Sequence, residues 1–226
     1  MVRFYLLMEG GILDDGDFSF VTLDARVNGD LCNHYGNLLS RCTGASINPE
    51  QTYPRFEGMD QVPPLSSGHA LLIENLRTLP SRVTSSFESG YFSSGIKDIF
   101  SVIRDCNVFF AENAPWKLVK EPASHAQLQQ VLYTTYEVLR IASTLLMPII
   151  PSSANRALDK LGVPTSLRRA VDASLHSGAG VLCGLPLQPG SISLFEKIQS
   201  TEQTQQPAAT PKKNKKQKSK KVQEKE

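Results

Sequence analysis

The sequence predicts an all-α protein: an antiparallel helix bundle with an irregular C-terminal cover and a disordered basic tail. Three observations predict it. Apolar residues recur every three to four positions in several segments, Gly and Pro punctuate the gaps, and the end of the chain has almost no large apolar side chain.

Val2 to Met8 is a short apolar run closed by Glu9-Gly10-Gly11, too short for periodicity to separate strand from helix. Asp14-Asp15-Gly16-Asp17 reads as a turn, with Ser19 or Asp17 placed to cap the next segment. From Phe20 to Arg41, Val21, Leu23, Val27, Leu31, Tyr35, Leu38 and Leu39 describe an amphipathic helix. Gly29 and Gly36 weaken it by about 1 kcal/mol each relative to Ala. Cys42 to Ser67, with Pro49, Pro54, Pro63 and Pro64, is a long connection. His69 to Glu88 is a second helix, which Pro80 is expected to kink.

Gly95 to Glu112 carries the clearest stripe, Ile96, Ile99, Phe100, Ile103, Cys106 and Phe110. Ala126 to Met147 is a longer helix halted at Pro148, and Ser152 to Leu161 a short one ending at Gly162, a usual C-terminal capping residue. Pro164 to Ile198 is rich in Gly and Pro and reads as irregular segments packed over the helices. From Ser200 to Glu226 only Val222 is large and apolar, so that stretch cannot offset the entropy of ordering.

The 226 residues are 40% hydrophobic and 20% charged, ordinary for a globular protein. The net charge of +2 averages two unlike regions: residues 207–226 hold eight Lys and two Glu, a balance of +6, and the remainder stands at −4. Cys32, Cys42, Cys106 and Cys183 form no CxxC pair and have no His at ligand spacing, so they are expected to be reduced and structural, with no metal bound. Val131 to Ile150 is the most apolar stretch, but Glu137 and Arg140 within it indicate a buried core helix and no membrane span. The N-terminus shows neither a secretory signal nor the character of a transit peptide.

Three features exceed what a bundle needs. Asn37 and Arg41, four apart on a helix, project from one face, and an amide beside a guanidinium offers donors and acceptors for base edges. On spacing alone a solvated helix end, where Arg suits the dipole, is the more ordinary account of the pair. Trp116, the only tryptophan, lies in Asn113-Ala114-Pro115-Trp116-Lys117-Leu118 and is expected on a loop, because Pro115 disfavours helix at Ala114. There it is either a stacking platform for an unpaired base or a lid on the core. The lysines from Lys212 to Lys221 attract any phosphate backbone, serve as a nuclear-localisation-like signal, or form a plain solvated tail.

Together these residues resemble the C-terminal part of methionyl-tRNA synthetases, the organellar type above all. The matching pieces are Val2-Arg3-Phe4-Tyr5-Leu6-Leu7 with Asp15-Gly16-Asp17-Phe18, Gly36-Asn37-Leu38-Leu39-Ser40-Arg41-Cys42, Ile47-Asn48-Pro49 with Tyr53-Pro54, Asn113 to Leu118, and Leu145-Leu146-Met147-Pro148. Leu161-Gly162-Val163 and Leu194 to Ile198 are weaker echoes, so the resemblance covers residues 1–198.

The resemblance implies a helical domain that binds the CAU anticodon of tRNA(Met), with Asn37, Arg41 and Trp116 contacting the unstacked bases. It implies the divisions 1–17, the end of the connection from a catalytic core; 18–165, the anticodon-binding bundle; 166–199, the irregular cover; and 200–226, the tail. The family's HIGH-type and KMSKS-type signatures do not occur here. The chain is therefore expected to have no catalytic residues, to need no cofactor (ATP serves the full-length family), and to act with a catalytic domain in cis. The mitochondrial matrix is the expected compartment, with the cytoplasm as alternative. Gly29 and the Lys-rich tail depart from the family pattern. A second reading is a helical adaptor whose basic tail binds nucleic acid or an acidic partner without specificity.

Overall fold

The repeating apolar positions become helices throughout a computed structural model that describes residues 1–11, 18–55 and 63–198, the side chain of Ala179 excepted. The expected turn at 14–17 and the basic tail lie outside the described residues.

The ambiguous first run is a helix, α1 (Val2–Glu9), which buries Phe4, Tyr5 and Met8. Ser19 caps the next segment by accepting from the Thr22 amide, while its own amide donates to the Tyr5 hydroxyl. That segment is helical as expected but not uniformly α. It runs as α2 (Phe20–Arg26), a π-helical stretch Val27–Gly36, and α3 (Asn37–Cys42). The reason is in the spacing. Leu23, Val27, Leu31 and Tyr35 are all buried and fall four apart, and in a pure α-helix each such step drifts by about 40°. Widening the turn keeps the stripe facing the core.

Three long helices come next. The first, α4 (Ser67–Glu88), is capped by Ser66 and runs through Pro80 to Glu88. A three-residue connection at Ser89–Tyr91 leads back into α5 (Phe92–Glu112), longer at its start than the stripe suggested. Gly95 on α5 sits so close to Phe87 that an added Cβ would lie 2.5 Å from its ring. The helix α6 (Pro115–Leu118) is one turn, and α7 (His125–Leu146) is the axis of the molecule, with every residue from Val131 to Leu146 buried. A helix covered on all sides is expected to be apolar all round. On α7 the hydroxyls of Thr135, Ser143 and Thr144 instead donate to backbone carbonyls one turn back.

After Pro148, α8 (Pro151–Lys160) ends at Gly162, whose φ of +71° and whose position against the Pro186 carbonyl both exclude a side chain. The region from Pro164 onward contains two 3-10 turns, Thr165–Leu167 and Ala170–Asp172, and the short α9 (Ala179–Leu182). An antiparallel bridge joins Thr52 to Pro186. Among the described residues there is no strand, and no helix is long and apolar enough to cross a membrane.

One core cluster includes Phe4 and Met8 of α1, the stripes of α4, α5 and α7, and Leu187 and Leu194 of the C-terminal region. Cys32, Cys42 and Cys106 are buried free thiols. Burial pushes the Cys106 thiol up to about 12, despite a hydrogen bond with Thr135 that pulls the other way.

Candidate nucleic-acid interface

The end of α5 sets the first half of the site. Its last turn is closed by the Asn113 amide and side chain, both donating to the Phe109 carbonyl. Ala114 then adopts a left-handed conformation, φ 42° and ψ 59°. That reversal places Pro115 at the first position of α6, where a missing N–H has no consequence. Trp116 is thus carried by a one-turn helix and not by a loop, a correction explained by proline's fitness to begin a helix even as it ends the one before. Pro115 is buried while Trp116 is 40% exposed. Leu118 and Val119 pack against the core, so α6 is pinned along one edge with its indole outside.

The second half is α3. Arg41 projects toward α5 and α6, its guanidinium 5.0 Å from the Phe110 ring centroid and 5.8 Å from that of Trp116. Both distances lie within cation–π range. Among the described residues no carboxylate pairs with Arg41, so its five donors remain available while the two rings fix its orientation. Arg41 and Trp116, 75 positions apart in the sequence, are therefore neighbours.

Asn37 is exposed one turn before Arg41, about 6 Å along the axis. It does not share the Arg41–Trp116 contact. It lines a cleft of about 590 Å³ between α3 with the preceding π-helical stretch and the segment 192–197. The site thus has two adjacent faces carried by one helix. Sequence reasoning placed Phe110 in the core, where it is, but did not see it as the floor under Arg41. It also missed the segment 192–197 as a wall, because nothing local links positions some 160 residues apart.

A buried network holds the C-terminal region on this scaffold. The Glu137 carboxylate accepts from Tyr53 Oη at 2.8 Å, from Arg140 Nε at 2.7 Å and Nη2 at 2.8 Å, and from the His176 amide at 2.9 Å. Arg140 also donates to the Asp172 carbonyl at 2.6 Å and the Ser174 carbonyl at 2.7 Å. Burial alone would lower the Arg140 pKa, but the hydrogen bonds and charge of Glu137 raise it above the ordinary value. His69, stacked on Phe109 at 4.5 Å, accepts from the Leu65 amide at Nδ1 and meets Thr134 Oγ1 at Nε2. That pattern demands the neutral ring, and burial lowers its pKa to about 4. Among the described residues no group of His, Cys, Asp and Glu is placed to hold a metal.

Comparison with known proteins is consistent across sequence and structure. Residues 1–43, which include α1 to α3, match the family model "tRNA synthetases class I (M)". The probable mitochondrial methionine–tRNA ligase of Dictyostelium discoideum is 37% identical over 172 residues, 74% of this chain and 30% of that protein. The human mitochondrial methionine–tRNA ligase is 34% identical over 176 residues, again 74% of this chain and 30% of that protein. The apo methionyl-tRNA synthetase of Mycobacterium tuberculosis superposes with a TM-score of 0.76 at 29% identity, over 88% of this chain and 39% of that one. The chain spans about a third of the length of the relatives it matches.

Proposed function

Because the chain belongs to the methionyl-tRNA synthetase family, we propose that it is the part of a methionine–tRNA ligase that recognises the CAU anticodon of tRNA(Met). In this reading its helices form an antiparallel bundle of the class I anticodon-binding type. ATP and methionine are handled by a nucleotide-binding part joined in cis, and this chain alone binds tRNA without charging it. Its work supports mitochondrial translation in the matrix, a location favoured by the relatives named mitochondrial, with the cytoplasm as the alternative.

The observation that carries the reading is the juxtaposition of the exposed Trp116 indole and the Arg41 guanidinium, which has no carboxylate partner among the described residues. An unpaired base stacks on the free face of Trp116, an interaction worth roughly 1–3 kcal/mol by truncation. Arg41 is already oriented by two rings, so little entropy is lost when its fork meets a base edge. Asn37 supplies an amide donor and acceptor one turn away. The test is filter binding of the chain to initiator-type tRNA and to the same tRNA with a changed anticodon. The expected result is a clear preference for CAU, lost together with about 1–3 kcal/mol of affinity in Trp116→Ala. Equal affinity for both RNAs would refute base-specific recognition.

A further inference from the structure

The cleft beside Asn37 has a second wall that the anticodon reading does not use. Segment 192–198 is fastened mainly through its backbone. Asn28 grips Ile198 twice, Oδ1 accepting from its amide and Nδ2 donating to its carbonyl, each at 2.9 Å. Arg156 donates to the Ser193 carbonyl at 2.8 Å and the Leu194 carbonyl at 3.3 Å. The Cys32 thiol meets the Glu196 carbonyl at 3.6 Å, and Phe195 packs on Tyr35 with ring centroids 5.9 Å apart. Close approach is enforced at Gly36, where an added Cβ would come within 3.2 Å of the Phe195 ring. With the backbone held from beneath, the side chains of Ser193 and Lys197 are exposed at the cleft.

Facing them, Asn33, Asn37 and Ser40 fall at the i, i+4, i+7 positions of one helical stripe, and all three line the cleft. Among the described residues none of the three side chains makes a hydrogen bond within the protein. The volume, about 590 Å³, is within the range of small-ligand sites. It opens on the same helix that carries Arg41.

We propose that this cleft is a second nucleotide subsite, in which the RNA strand leaving the Arg41–Trp116 face runs between the Asn33–Asn37–Ser40 stripe and the strap 192–198. The proposal rests on the anticodon reading of that face. The amides and Ser40 meet the polar edge of the neighbouring unpaired base, and Lys197 meets its phosphate. Glu196 also lines the cleft, so the wall carries no net charge and its pull on RNA is one directed contact, not a broad field. Asn28 touches no RNA; it is a positioning residue that sets where Lys197 stands.

The test uses the full chain and initiator-type tRNA, with affinity measured from 0.1 M to 1 M salt. Lys197→Gln removes one phosphate contact from a single-stranded segment, so the slope of log K against log salt falls by about 0.7. That is a loss of about fivefold at 0.1 M relative to 1 M. Trp116→Ala lowers affinity with the slope unchanged. Asn28→Ala, checked for folding by circular dichroism, makes Lys197→Gln silent, because a released strap no longer presents the lysine. An unchanged slope in Lys197→Gln, with Trp116→Ala still weakening binding, overturns the subsite and leaves the anticodon reading intact. Fully additive effects of Asn28→Ala and Lys197→Gln overturn the positioning role. A reduced slope in Lys197→Gln without any anticodon preference supports the cleft as an RNA site and refutes the reading on which it was built.

Discussion

Replacing Glu137 by Gln removes the charge on which the C-terminal region is hung. The carboxylate accepts four hydrogen bonds, two of them from Arg140. A Gln amide keeps one acceptor oxygen and turns the other into a donor, so two donors lose their partner. Arg140, fully buried, then keeps one bond to the amide oxygen and the carbonyls of Asp172 and Ser174, with no carboxylate to balance its charge. Two lost bonds to charged or buried donors at about 1.5 kcal/mol each give a lower bound of about 3 kcal/mol. Breaking a buried ion pair from one side costs about 3–5 kcal/mol. For a chain of this size each kcal/mol moves Tm by about 2–4 °C, so the expected fall is roughly 6–20 °C. Thermal unfolding followed by circular dichroism measures it, and urea unfolding gives an independent free energy. The double variant Glu137→Gln/Arg140→Gln must be less destabilised than the sum of the singles by more than about 1 kcal/mol, since the orphaned cation is gone. A Tm within about 2 °C of the parent, or strict additivity, would refute the view that this pair organises the region.

The same geometry dictates three further outcomes. His69 has a folded pKa of about 4 against about 6.5 when unfolded, so the unfolded chain binds the extra proton first. Its contribution is complete above pH 6.5 and is lost as the pH falls toward 4, by at most about 3.4 kcal/mol. The stability gap between the parent and His69→Gln should therefore narrow over that window in urea titrations, and a constant gap would count against it. Ala114→Gly relieves a left-handed alanine, worth about 1–2 kcal/mol, but frees the unfolded chain by about 0.4–1 kcal/mol. Tm should rise slightly or hold, while tRNA affinity falls because the mount of Trp116 loosens; tighter binding would be inconsistent with a preorganised platform. Deleting residues 207–226, which carry eight Lys, should weaken binding to matched and changed anticodons by one common factor and flatten the salt dependence. Loss of all binding would instead favour the adaptor reading.

Most helices were legible because their stripes are long and their ends carry chemistry that acts locally. Ser19 and Ser66 cap, Pro148 and Gly162 stop, and Phe92–Glu112 could hardly bury Ile96 to Phe110 in any other form. Pro80 lies inside α4, which continues past it to Glu88 as the long apolar stripe required. Val2 to Met8 could not be assigned for lack of length; its burial against the core decides for helix. The π-helical stretch was written in the fourfold spacing from Leu23 to Tyr35, but a pattern read at three-or-four tolerance does not separate widened turns from regular ones.

The site was legible only in part, and the division has a physical cause. Asn37 and Arg41 stand out because helical geometry makes positions four apart neighbours, a relation internal to the sequence. Their uses are decided by other elements. Arg41 acquires its floor from Phe110 and its partner surface from Trp116, whereas Asn37 acquires a facing wall from a strap that Asn28 holds across 170 positions. Neither relation leaves a local trace. A single helix turn thus addresses two faces at once, which is why substitutions at Asn37 and Arg41 should separate. Changes at Arg41 should track Trp116 in base preference, and changes at Asn37 should couple to Lys197 and to salt. Were both to behave alike, the two faces would have to be one.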